Sequence, residues 1–254
     1  MTQPRRGRGA FLFDLDGTLI HSMPLHHEAW RRWHAELGLA FDEAGFFEAT
    51  AGRTNAEIMA TLFPQRPLAE REALAERKES AYRALAAHSL RLVDGFVDFQ
   101  REARALGLKL AICTAAPPAN MAVAFQRFGL DALVDTITSP ADRASGPSPA
   151  TGPSAVDGPV RGLSPADSLR GKPHPDIFAE AARRLGVAAA DCTVFEDAPL
   201  GVEAARRAGM RCVVLTTSLP AAAFATFANV ISTASDFRSL RPAVISSEQV
   251  THHA

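Results

Sequence analysis

The chain has 254 residues, 47% apolar and 22% charged, the make-up of an ordinary globular protein with room for one large domain or a core and a smaller partner. Its 27 basic and 28 acidic side chains leave no positive surplus for nucleic acid or an acidic membrane surface. No apolar run approaches bilayer length, and the run behind Arg5-Arg6-Gly7-Arg8 is short and broken by Asp14 and Asp16, so the sequence reads as cytoplasmic, without signal peptide or membrane contact.

In chain order, Ala10 to Leu15 is a short apolar run of the kind that forms a buried parallel strand. Helical texture follows between about Pro24 and His88. Leu25, Ala29, Trp33 and Leu37 recur at helical spacing with Gly38 as a stop, and helical patterns continue over Thr54 to Leu62 and Leu68 to Ala86. Trp30 and Trp33 belong in the core of such a block. Further apolar runs, each followed by a turn and an amphipathic helical pattern, are Lys109 to Cys113, Thr193 to Phe195 and Cys212 to Leu215. This alternation predicts an α/β fold, a doubly wound, Rossmann-like parallel sheet with an inserted α-helical cap. The core is expected over residues 9–23 and 89–240 and the cap over 24–88, hinged near Ser22 and His88 so that water can be excluded and readmitted.

Two segments stand apart. Residues 139–170 are dense in Pro, Gly, Ser and Ala and read as a flexible insert within the core. Ser139-Pro140-Ala141-Asp142 returns as Ser164-Pro165-Ala166-Asp167, an echo that either a tandem duplication or compositional bias explains. Residues 241–254 read as a disordered tail. Cys113, Cys192 and Cys212 form no Cys-x-x-Cys pair and sit in or beside apolar runs, as small buried hydrophobes of a reducing compartment do.

In an open parallel sheet, ligands bind at the carboxyl ends of the strands, so the polar residues ending the four runs are the candidates for function. Asp14 and Asp16, two apart at a strand end, start on the same side of the backbone, and Gly17 lets the chain turn. Their repulsion can split their pKa values, leaving one ionised carboxylate to attack phosphorus and one acid to donate a proton to the leaving oxygen. Alone, the pair is equally at home in a solvated Asp-Gly turn. Glu196-Asp197 adds a second acidic pair, suited to magnesium, with capping of a helix near Leu200 as the alternative for one of them. Lys172, stiffened by Pro173 and Pro175, can neutralise a nucleophile and phosphoryl oxygens, and Thr114 can hold another oxygen with the amides around it, such as that of Ala115. The polar run Thr216-Thr217-Ser218 ends the last strand.

The ordered set Asp14-x-Asp16-Gly17-Thr18-Leu19, Thr114, Gly171-Lys172-Pro173-x-Pro175-Asp176 and Phe195-Glu196-Asp197-x-x-x-Gly201 resembles the haloacid dehalogenase-like hydrolase superfamily, in its helical-cap phosphatase and β-phosphoglucomutase-like branch. The resemblance covers roughly Phe11 to Ser218 except the insert. It implies Asp14 as nucleophile and Asp16 as general acid/base. It further implies Thr114, Ala115 and Lys172 as phosphate ligands, and Mg2+ held by Asp14, the backbone carbonyl of Asp16, Asp197 and Glu196. Dehalogenases and phosphonate-cleaving relatives lack an acid at the position of Asp16, so phosphate-ester chemistry is expected, on a small phosphorylated metabolite, a sugar phosphate by resemblance.

Within that branch a phosphatase and a hexose phosphate mutase compete. His26 and Lys78 fall where the mutases carry a His and a Lys that work with the sugar phosphate. Asn55, however, stands where the mutase pattern has an Arg that grips a second phosphate, Pro117 and Pro118 replace polar residues, and Arg53 is an uncertain substitute from two positions away. Loss of a charged grip favours the phosphatase. His26, Arg53, Asn55 and Lys78 are the candidate substrate contacts of the cap, whereas His21, His27 and His174 are expected in surface, hinge or loop positions. A non-catalytic relative that keeps the fold for binding has no support, since every catalytic position is filled. Nothing in the sequence indicates a protein partner.

Overall fold

The computed structural model describes residues 9–50, 53–142 and 168–247. Six parallel strands form one sheet: β1 (Ala10–Phe13), β2 (Lys109–Cys113), β3 (Thr136–Thr138), β4 (Cys192–Glu196), β5 (Arg211–Leu215) and β6 (Val230–Ala234), in spatial order β3-β2-β1-β4-β5-β6. The chain builds outward from β1 on one side and then returns to build on the other. The switch of direction beside β1 opens a crevice at the carboxyl ends of β1, β2 and β4.

Alternation along each strand sorts the core into two layers. Phe11, Phe13, Leu110, Ile112, Phe195 and Val213 face one side, where α5 (Phe96–Ala105), α6 (Pro118–Phe128) and α9 (Pro242–Ser247) lie. Phe11, Phe13, Phe99, Phe195 and Phe237 interlock there with ring centroids 4.8–6.4 Å apart. Leu12, Ala111, Cys113, Val194, Cys212 and Val214 face the other side, beneath α7 (Asp176–Leu185) and α8 (Pro199–Arg207). The three thiols are free and buried, as their surroundings in the sequence suggested, and burial pushes those of Cys113 and Cys192 up to about 12.

Between β1 and α5 the chain forms four helices: α1 (Met23–Glu36), α2 (Glu43–Thr50), α3 (Asn55–Leu62) and α4 (Leu68–Ser89). Trp30, Trp33, Ile58 and Met59 make an apolar cluster of their own. Gly38 (φ 65°) follows α1, and Thr54 caps α3 with a reciprocal box, its side chain accepting from the Glu57 amide while the Glu57 carboxylate accepts from the Thr54 amide. The two connections that lead into and out of the helices run side by side. The His21 amide donates to the Arg91 carbonyl (2.8 Å) and the Val93 amide to the Leu19 carbonyl (2.9 Å).

The structure corrects several expectations. The first strand ends at Phe13, so Asp14 and Leu15 lie beyond it. Strands β3 and β6 and helix α2 were not anticipated; β3 ends at Thr138, directly before the expected insert. The expected disordered tail includes α9, whose Ile245 is buried in the phenylalanine layer. Most of the insert and its sequence echo lie outside the described residues, as do the first eight and last seven positions. The described ends of the insert meet: the Leu169 amide donates to the Asp142 carbonyl at 3.3 Å.

Candidate active site

Asp14 follows β1 directly, its amide continuing the ladder to the Phe195 carbonyl (3.0 Å). Gly17 turns the chain at φ 83°, and a Cβ there would stand 2.0 Å from Asp197 Oδ2. Glycine is therefore needed both for the backbone angle and for the close approach of that carboxylate. Glu196 ends β4 and Asp197 follows. The Glu196 Oε2 accepts from the amides of Asp197 and Ala198, both at 2.9 Å, which holds the carboxylate at the start of α8. A Cβ at Gly201 would fall 1.8 Å from Glu196 Oε1, so α8 must offer a bare backbone at that point.

Lys172 joins these groups. Its ammonium donates to Asp14 Oδ1 and, at 2.5 Å, to Glu196 Oε1, and lies over the Phe178 ring, 5.3 Å from the centroid. Asp14, Lys172, Glu196 and Asp197 are each at most 6% exposed, so these charges meet almost out of water. Burial lifts the Asp14 pKa to about 7 despite Lys172, with Glu196 adding to the rise. Burial, then Glu196 and Asp14, also raise Asp197 well above the ordinary carboxylate range. Burial disfavours the Lys172 ammonium, but the two carboxylates outweigh it and raise its pKa.

Ligand atoms of Asp14, Glu196 and Asp197 all lie within 4.8 Å of one another. Three carboxylates against one ammonium leave two negative charges when all are ionised, and their mutual repulsion adds to burial in raising Asp14 and Asp197. A divalent cation with a preference for hard oxygen ligands fits this donor set in charge and chemistry. Ser218 donates to Asp197 Oδ2, and Thr18 donates to its Oδ1 at 3.4 Å. Thr217 donates to the Gly17 carbonyl, so the polar run after β5 fastens the turn after β1. Thr114, at the end of β2, accepts from the Ala116 amide at 3.0 Å and shapes the loop that carries Ala115.

Asp16 is brought to the same edge but faces elsewhere. Its Oδ1 lies 3.5 Å from His26 Nε2, and its carboxylate is not part of the acidic cluster. Burial pushes its pKa up, yet the hydrogen bond and charge of His26 outweigh that and leave it lowered. His26 stacks on Tyr82 (3.8 Å, 2°), and its Nδ1 sits 2.8 Å from Lys78 Nζ. Lys78 Nζ also donates to Glu79 Oε1 (2.8 Å) and lies over the Trp30 ring. Burial lowers the Lys78 pKa against the pull of Glu79. Asn55 donates to Glu79 Oε1 at 2.9 Å, and Asn120, in the first turn of α6, donates to its Oε2.

Of the four candidate contacts on the helices, His26, Asn55 and Lys78 thus join one network that begins at Asp16. Arg53 does not: its guanidinium donates to the Glu57 carbonyl (3.3 Å) and to Thr61 Oγ1 (3.1 Å). Sequence reasoning missed Glu79 and Asn120. The only signal available was that Glu79 adjoins Lys78 and that Asn120 opens the helix behind Thr114. A contact between the two blocks was likewise unanticipated. A Cβ on Gly171 would stand 2.8 Å from Thr54 Cγ2 and 3.3 Å from Glu57 Oε2.

A parallel α/β sheet with a lysine-bridged acidic cluster at its strand ends, beside a hydroxyl-closed loop, defines the hydrolase class that works on phosphate esters. The chain belongs to the haloacid dehalogenase-like hydrolase family, whose family model matches residues 9–209. It is 31% identical over 218 residues to validoxylamine A 7'-phosphate phosphatase of Streptomyces hygroscopicus subsp. limoneus, covering 84% of this chain and 88% of that one. With the fructose-1-phosphate phosphatase YqaB of Escherichia coli it shares 28% identity over 206 residues, 80% of this chain and 93% of that one. The crystal structure of a HAD hydrolase, family IA, variant 3, from Entamoeba histolytica superposes with a TM-score of 0.72 at 24% identity, covering 94% of this chain and 98% of that one. The fold and enzyme class expected from the motifs are therefore those of the family, a HAD-like phosphatase. No helix among the described residues is long and apolar enough to cross a membrane.

Proposed function

We propose that the protein is a magnesium-dependent phosphatase that hydrolyses a phosphorylated small metabolite, a sugar phosphate, through an aspartyl-phosphate at Asp14. The observation that carries this reading is the buried set of Asp14, Lys172, Glu196 and Asp197 at the ends of β1 and β4 and in the loop between β3 and β4. The names of the related phosphatases support the sugar phosphate class.

An Asp14 carboxylate oxygen attacks phosphorus, and the bond from phosphorus to the ester oxygen breaks. Lys172 neutralises charge on the nucleophile and on the phosphoryl oxygens, while Thr114 and the amide of Ala115 orient another of those oxygens. Asp16 gives a proton to the leaving oxygen and then takes one from the water that splits the acyl phosphate, regenerating Asp14 and releasing phosphate. With its pKa lowered, Asp16 rests as the base in the substrate-free protein. The negative phosphoryl group arriving beside it raises that pKa toward the acid form that the first step needs. Magnesium, when held by Asp14, Glu196, Asp197 and the Asp16 carbonyl, would screen the repulsion between nucleophile and phosphate.

Helices α1–α4 serve as a cap in this reading, moving on the paired connections at His21 and Arg91. Three free, buried thiols accord with a cytoplasmic location. The mutase alternative draws on His26 and Lys78, but Arg53 is turned onto α3 and Asn55 is spent on Glu79, which favours hydrolysis. A screen of phosphorylated metabolites with magnesium tests the reading. Free phosphate should appear and be abolished by Asp14→Asn, whereas isomerisation of glucose phosphates without net phosphate release would replace it with the mutase.

A further inference from the structure

Glu79 stands where three elements converge. Helix α4 carries it, α3 sends Asn55 to one of its oxygens and α6 sends Asn120 to the other. It is 3% exposed, and it pairs at 2.8 Å with Lys78, itself 2% exposed. Burial opposes its ionisation, yet Lys78, His26 and Asn120 prevail and hold its pKa at about 2, so the carboxylate is charged at any working pH. Lys78 is the ammonium that the helical block directs toward Asp16 through His26.

Among the described residues, the cations Lys78 and Arg83 have acidic partners and Arg53 has neutral ones. Lys78 is matched by Glu79. Arg53 donates to Thr61 and the Glu57 carbonyl, and Arg83 pairs with Glu76 while donating to the Asn120 side chain at 3.1 Å. Helix α6 begins with Pro118 after Pro117, so the first amides that would face an anion there are missing. A dianion entering between helices and strand ends would meet a neutral Lys78–Glu79 pair and two amide groups already spoken for. Binding it would mean breaking a buried ion pair, which is costly. A hydroxyl-bearing, uncharged group faces no such cost.

We propose that Glu79 is a selectivity-determining residue that confines the enzyme to substrates with one phosphoryl group and a neutral, hydroxylated remainder. It acts from a distance, by cancelling the charge of Lys78 and engaging Asn55 and Asn120, so it is a positioning residue and not a catalytic one. The inference rests on the phosphatase reading and adds to it the exclusion of bisphosphates, a case of specificity obtained by penalising the wrong ligand.

The test measures phosphate release with magnesium from fructose 1-phosphate and fructose 1,6-bisphosphate, a pair that differ only in the second phosphoryl group. The wild type should prefer the monophosphate in kcat/KM by at least about tenfold. Glu79→Gln, which leaves Lys78 unmatched, should shift that ratio toward the bisphosphate by about tenfold, mainly through KM, and added salt should reverse part of the shift. Asn55→Arg, which adds a cation and keeps Glu79, should shift it the same way, so the proposal does not depend on one variant folding. A purely structural role for Glu79 would lower both activities together and leave the ratio fixed. A wild-type ratio near one, or an unchanged ratio in both variants, overturns the selectivity and spares the phosphatase. Folded wild type that releases phosphate from no ester in a wider screen of phosphorylated metabolites overturns both readings.

Discussion

The two ends of the reaction space are both built from buried charge, and they are balanced in opposite ways. At the strand ends, Asp14, Glu196 and Asp197 outnumber Lys172, and burial drives the pKa values of Asp14 and Asp197 upward. Beneath the helices, the Lys78–Glu79 pair is closed on itself by Asn55 and Asn120, and the Glu79 pKa falls to about 2. The first set is short of positive charge, which suits the cation and phosphoryl group proposed for it. The second is complete and tolerates only a neutral neighbour. The same residue types therefore make a reactive centre or a passive wall, according to whether their charges cancel locally.

The contrast should break most sharply at the proposed nucleophile. Asp14→Asn keeps the volume and removes the attacking oxygen, so kcat should fall by at least about a thousandfold while the protein stays folded, measured as phosphate release beside circular dichroism. Gly201→Ala should come next. Its Cβ would fall on the Glu196 carboxylate, and displacing that group from Lys172 should cost about a hundredfold in kcat and weaken cation binding, measured by calorimetry. An unchanged affinity would separate Glu196 from the cation.

Opposite pKa shifts also give opposite pH responses of stability. The folded-state pKa of Asp14, about 7, lies above its ordinary 3.8, so the folded protein holds an extra proton between those values. Stability tied to that proton is lost as pH rises through 7. In chelator, thermal denaturation should show the wild type losing stability relative to Asp14→Asn as pH rises from about 4 to about 7. Glu79, shifted down from 4.5 to about 2, contributes stability that is present above pH 4.5 and lost as pH falls toward 2. Glu79→Gln should therefore narrow its deficit against wild type in acid. The smallest effect is expected from the insert. Since Leu169 and Asp142 already meet at its base, replacing residues 143–167 with a short glycine-serine link should change kcat/KM by no more than about twofold.

What could be read in advance follows the range of the interactions. Strands β1, β2, β4 and β5 are buried on both faces and announce themselves as unbroken apolar runs, whereas β3 spans three residues, two of them Thr, and the edge strand β6 mixes Ser and Thr with Val and Ile. Helix α9, six residues long, is too short to show a period, and α2 carries Gly45 in its interior, which weakens the helical pattern. At the site, Asp14, Asp16, Thr114, Glu196 and Asp197 were legible because each sits at or just beyond a strand end, and Lys172 because prolines follow it closely and its place in the order is informative. Lys172 and Asp14 are 158 positions apart, however, and their hydrogen bond comes from the sheet order. Glu79 gave no signal beyond its place next to Lys78, because its role depends on Asn120, 41 residues later on a different helix. Arg53 was a candidate contact by position, and spacing alone does not reveal that its guanidinium folds back along α3.

One small residue joins the two ends mechanically. Gly171 precedes the bridging lysine, and the missing methyl group is what allows the start of α3 to rest against that loop. The Thr54 methyl and the Glu57 carboxylate rest there, tied to each other by the capping box, so a shift of the helix start would press on the loop. The position of the roof and the aim of the lysine are in that sense a single mechanical coordinate. A variant with alanine at 171 would act as a shim of known thickness, prising the two apart without altering a charged group.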